Sequence, residues 1–122
     1  MNVEKLINAI DKRPGMYVCP INIESIYNFI CGYLVGRKNQ LFELPPDPID
    51  AEFLASFGKW SFRWIIKNKY SGYKFESFAW FKMFQSVTQD DNEARELFFL
   101  VCQEFFECFR NENDDYWNSI SY

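Results

Sequence analysis

Histidine is missing from this 122-residue chain, and with it the commonest general acid and base near neutral pH and the commonest neutral metal ligand. Neither a Ser-His-Asp nor a Cys-His arrangement can be assembled, so nothing is available to activate a nucleophile and no catalytic residue is expected. Threonine occurs once, at Thr88, and period-two alternation of apolar and polar positions is almost absent, which argues against a sheet. Long apolar runs are also lacking. The longest, Leu97 to Cys102, falls far short of the roughly 18 residues that a membrane span needs. The first residues show no basic stretch followed by an apolar one, so export is not expected and the chain should stay in the cytoplasm. The cysteines, Cys19, Cys31, Cys102 and Cys108, include no Cys-x-x-Cys pair. In a reducing compartment they are expected to be unpaired and buried, acting as small apolar side chains, and neither a metal nor another cofactor is implied.

What the chain has in abundance is aromatic area, 20% of its residues, including 14 phenylalanines. That is ample for one core without disulfides or metals, and it leaves some rings to face a partner. The periodicity is helical from end to end. Val3, Leu6, Ile7 and Ile10 repeat at helical spacing until Pro14-Gly15 stops them. A second helix is expected from near Asn22, with Ile23, Ile26, Ile30, Tyr33 and Leu34 on one face. On its other face Phe29, Gly32 and Gly36 suggest a groove for close packing inside the fold. Pro45-Pro46-Asp47-Pro48 is a rigid connection between helices. Phe53, Leu54, Phe57, Trp64 and Ile65 fit a third helix, whole or broken near Gly58. Ser77 can cap a fourth helix bearing Trp80, Phe81, Phe84 and Val87. Asp90 with Glu93, or Asp91 as the cap itself, opens a fifth with an apolar stripe of Ala94, Leu97, Phe98, Val101, Phe105 and Phe109. Strand-forming residues gather only around Met16 to Val18 and Gly72 to Phe75. The expectation is an all-α, compact single-domain bundle of five to six helices over residues 1–122.

Charge is unevenly spread. Residues 1–84 hold 11 basic against 8 acidic side chains, a net of +3, whereas residues 85–122 hold 2 against 9, a net of −7. Asp90, Asp91, Glu93, Glu96, Glu104 and Glu107 line the fifth helix and its cap, and Asp114 and Asp115 continue into the tail beside Tyr116 and Trp117. Such a surface repels nucleic acid and attracts a basic protein, with the two aromatics as candidate anchors. For Asp90, Asp91 and Glu93 the alternative is a helix-dipole contribution at the N-terminus, and for Tyr116 and Trp117 it is closure of the core. A contrary signal lies at Lys59, Arg63, Lys67, Lys69, Lys74 and Lys82, interleaved with Trp60, Trp64, Tyr70 and Tyr73. Cations beside rings suit single-stranded nucleic acid, although a sequence pI near 4.8 is opposite to the balance expected of such a domain.

The order Lys12-Arg13-Pro14-Gly15-Met16-Tyr17-Val18 followed by the amphipathic run Ile23 to Leu34 resembles small bacterial immunity proteins of contact-dependent growth inhibition systems. The likeness continues at Ser77-Phe78-Ala79-Trp80-Phe81 and Ala94-Arg95-Glu96-Leu97-Phe98-Phe99. ATP-binding type II topoisomerase subunits carry a similar Arg-Pro-x-Met-Tyr run, but they also need an Asp-x-Gly-x-Gly nucleotide loop that this chain lacks. The resemblance implies a non-catalytic inhibitor that binds one toxin domain with a basic surface, in a 1:1 complex without a cofactor. It would cover the active site or substrate groove of a nuclease, with ribonucleases, including the poly-U-specific endonuclease type, the first expectation. The alternative is a helical adaptor or a single-stranded nucleic-acid-binding module.

Overall fold

The structure, a computed structural model, describes residues 2–38 and 47–112. Five α-helices follow one another: α1 (Val3–Lys12), α2 (Ile23–Lys38), α3 (Pro48–Asn68), α4 (Trp80–Ser86) and α5 (Asp91–Glu112), with a 3-10 turn at Pro14–Met16 between the first two. There is no strand among the described residues, so the residues around Met16 to Val18 and Gly72 to Phe75 form turns and irregular chain. No helix among the described residues is long and apolar enough to cross a membrane.

Four of the five helices start where a short polar side chain meets orphan backbone N–H groups. Asn2 Oδ1 accepts from Lys5 N at 3.0 Å and Asn22 Oδ1 from Ser25 N at 2.8 Å. Asp47 Oδ1 accepts from Ile49 N at 2.9 Å ahead of Pro48 at the first helical position. Asp90 is the cap of α5: its Oδ1 accepts from Glu93 N at 2.8 Å, while Glu93 Oε2 accepts from Gln89 N at 3.0 Å. Two caps come from a different helix. Asp50, in the first turn of α3, accepts from Val3 N at 2.6 Å, and Asp91, in the first turn of α5, accepts from Ile23 N at 2.9 Å. α4 departs from expectation, because Ala79 and not Ser77 precedes it and no side chain caps it. Burial of Trp80, Phe81, Met83 and Phe84 holds this short helix instead.

Aromatic rings knit the bundle together. Phe53 stacks on Phe57 within α3 at 4.3 Å, Trp80 stacks on Phe98 of α5 at 4.6 Å, and Phe57 meets Trp80, Phe98 and Phe105 edge-on at 5.4 to 6.0 Å. Phe53, Phe57, Phe81, Phe84, Phe98, Phe105, Phe106 and Phe109 are all buried, which accounts for most of the phenylalanine surplus. α3 is one unbroken helix through Gly58. The roughly 1 kcal/mol that a mid-helix glycine costs is small beside the burial of Phe53, Phe57 and Ile65 around it.

Two further expectations need correction. A Cβ placed on Gly32 or Gly36 would meet nothing within 4 Å, so these glycines face open space and do not mark a close helix contact. Of the cysteines only Cys102 is buried; Cys19 is exposed, and Cys31 and Cys108 are half-buried. No disulfide joins Cys19, Cys31 or Cys102.

Candidate functional site

The solvent face of α5 carries the acidic residues that the sequence singles out, but it sorts them into two groups. Asp90 and Asp91 are committed to the fold: the first caps its own helix, and the second caps α2 through Oδ1 and pairs with Arg95 Nε through Oδ2 at 2.9 Å. Glu93, Glu96, Glu104 and Glu107 recur at spacings of three, eight and three residues, which at 3.6 residues per turn brings all four within one exposed stripe about 22 Å long. Leu100 lies in the middle of that stripe and is 48% exposed, an apolar side chain ringed by carboxylates. Three of the four acids also make local bonds. Glu93 accepts from Gln89 N, Glu96 Oε1 accepts from Asn92 Nδ2 at 3.3 Å, and Glu104 Oε2 accepts the Trp64 indole N–H at 2.7 Å. Glu107 makes no ion pair or hydrogen bond to a described residue. Asp114, Asp115, Tyr116 and Trp117 lie outside the described residues.

The basic aromatic segment does not form a stacking platform. Lys59, Arg63, Lys67, Lys69, Lys74 and Lys82 are exposed, but Trp60 packs edge-on against Phe105 at 5.5 Å, and Trp64 is tied to Glu104. Tyr73 is buried with its hydroxyl 2.7 Å from Ser86 Oγ. Of the four rings only Tyr70 stands free in solvent.

A second feature escapes the periodicity argument because it is built from three separate segments. α2, α3 and the irregular chain before α4 enclose a groove of about 520 Å³. Its walls are Tyr27, Cys31 and Leu34 of α2, Phe53, Leu54 and Gly58 of α3, and Trp80. Lys59, Glu76 and Phe78 stand at the mouth, with Phe78 fully exposed. The size falls within the range of ordinary ligand pockets. Burial raises the Cys31 thiol above its usual pKa, a shift the Tyr27 hydroxyl partly offsets by hydrogen bonding, and burial also raises the Tyr27 phenol. Both groups are therefore neutral near pH 7, which removes the thiolate that nucleophilic chemistry would need. Nothing in the local spacing of Tyr27, Cys31, Leu34, Phe53, Leu54 and Phe78 announces that they meet.

Asp50 is the other unusual group. It is buried, its Oδ1 holds Val3 N, the Arg37 Nε lies 3.8 Å from its Oδ2, and the Tyr33 hydroxyl interacts with the same carboxyl. Arg37 is held in turn over the Tyr33 ring at 5.9 Å. Burial pushes the Asp50 carboxyl above its usual range, while the Val3 N–H and Arg37 oppose the shift. The arrangement ties α1, α2 and α3 together and leaves the Asp50 carboxyl little exposed. The chain matches no protein family, no curated protein and no solved structure.

Proposed function

We propose that this chain is a non-catalytic immunity protein of the contact-dependent growth inhibition type, neutralising a toxin domain by covering its basic active-site groove. The observation that carries this reading is the exposed stripe of Glu93, Glu96, Leu100, Glu104 and Glu107 on α5. A linear array of carboxylates about 22 Å long complements a nuclease groove, which must be basic to hold phosphates. Attraction between the two raises the encounter rate, and the central leucine supplies apolar burial surrounded by a polar rim. The partner is a ribonuclease or other nuclease domain, bound 1:1 in the cytoplasm with no cofactor. The lack of histidine and the neutral, half-buried Cys31 favour occlusion over any chemical inactivation. Against the nucleic-acid-binding alternative stand the engaged Trp60, Trp64 and Tyr73 rings. Co-expression tests the reading. The chain is expected to restore growth to cells producing the toxin domain encoded immediately upstream of it, and not to cells producing an unrelated nuclease. Equal failure against both would contradict the proposal.

A further inference from the structure

We infer that the groove between α2 and α3 is a self-association site, occupied in a symmetric dimer by Phe78 of a second copy of this chain. Three observations carry the inference. First, hole and knob sit in one patch: a groove of about 520 Å³ walled by Leu34, Phe53, Leu54 and Trp80, and a fully exposed phenylalanine on its rim. A two-fold axis requires one surface to be complementary to itself, and a patch that contains both knob and hole meets that requirement. Second, the charges at the mouth are self-complementary. Lys59 and Glu76 both line the groove and make no ion pair among the described residues, so a two-fold arrangement can set each lysine against the other copy's glutamate. A basic or an acidic partner would satisfy only one of them. Third, two of the exposed large apolar side chains, Leu54 and Phe78, belong to this patch, and burying them in a dimer removes apolar area from water.

The size of the patch sets the strength. The groove alone is smaller than a standard stable interface, which has about 20 to 30 residues a side, so a weak, concentration-dependent dimer is expected. None of these residues lies on the carboxylate face of α5. The inference is therefore independent of the toxin-binding reading, and either can fail alone.

Analytical ultracentrifugation of the full chain over micromolar to millimolar concentrations tests it. Wild type is expected to pass from monomer to dimer, and Phe78→Ala to weaken the dimer about tenfold or more, as loss of a central aromatic anchor does. Phe78 makes no core contact, so an unchanged circular dichroism spectrum checks that this variant stays folded. The charge pair gives the sharper result. Lys59→Glu and Glu76→Lys are each expected to be monomeric alone, since like charges then oppose across the axis, and to associate when mixed. Pairing of Lys59 with Glu76 inside one chain cannot produce association on mixing. A wild-type chain that stays monomeric throughout the range would overturn the inference, as would a dimer that Phe78→Ala leaves intact. A monomer whose groove takes up a fluorescent apolar dye, displaced by no second copy, would give the groove to a small apolar ligand instead.

Discussion

Single residues carry three functions here that their types alone do not announce. Ser61 is fully buried in α3 and its hydroxyl has no hydrogen-bond partner among the described residues. Leaving a buried hydroxyl unmade is costly, so Ser61→Ala is expected to keep or raise stability, by up to about 1 kcal/mol, in a urea unfolding series. A clear loss of stability would show that the hydroxyl has a partner. Asp91 behaves oppositely, because it joins the start of α2 to α5: Asp91→Ala should cost about 1 kcal/mol or more, beyond the small effect of a typical exposed acid. Asp50 has its folded-state carboxyl raised above the ordinary value near 3.8, chiefly by burial. The native state therefore holds that proton more tightly than the unfolded chain, and the Asp50 contribution to stability is greatest below about pH 4 and falls as pH rises through the folded value. Asp50→Asn keeps the acceptor for Val3 N and removes the ionisation. Its stability relative to wild type is expected to improve from pH 4 upward, and a pH-independent difference would contradict this assignment. The roles of the two aspartates were not legible in the sequence, because each depends on a contact between distant positions, 3 with 50 and 23 with 91, that local pattern does not encode.

At the scale of the element, the apolar stripes do most of the specifying. Val3, Leu6, Ile7 and Ile10 in α1, and Ala94, Leu97, Phe98, Val101, Phe105 and Phe109 in α5, are buried as their spacing requires. The start of α4 differs from what Ser77, a good cap by type, would suggest: Ser77 lines the groove, and the helix begins only where Trp80 enters the core. α2 buries Ile23, Ile26, Ile30 and Leu34, the face that their spacing predicts, and departs from expectation only on its other side. Gly32 and Gly36, which suggested a close contact, stand in solvent. Gly32→Ala and Gly36→Ala are accordingly expected to stabilise the protein by about 0.8 to 1 kcal/mol each, through helix propensity without steric conflict. Destabilisation by either alanine would mean that something packs against this face.

For the molecule as a whole, the two features that stand out are charge separation along the chain and an aromatic core. The core accounts for eight phenylalanines and Trp80 without a disulfide joining Cys19, Cys31 or Cys102. The melting temperature should therefore be the same with and without reductant, where a contributing bridge would lower it on reduction by an amount equivalent to about 2 to 4 kcal/mol. The acidic pole was legible as composition. What the sequence alone could not sort was which carboxylates hold helices together and which face outward, since Asp91 and Glu96 differ only in what lies opposite them in the fold. That sorting decides how the central claim is tested. Glu104 anchors Trp64 and Asp90 caps α5, so neither is a clean probe of the surface, whereas Glu96 and Glu107 touch little else. The decisive measurement is the affinity of Glu96→Lys/Glu107→Lys and of wild type for the toxin domain encoded upstream, by calorimetry at low and at physiological salt. The account predicts an unchanged fold and a loss of binding of about a hundredfold or more, with the wild-type association rate falling as salt screens the attraction. Equal affinities for wild type and variant at both salt concentrations would contradict it.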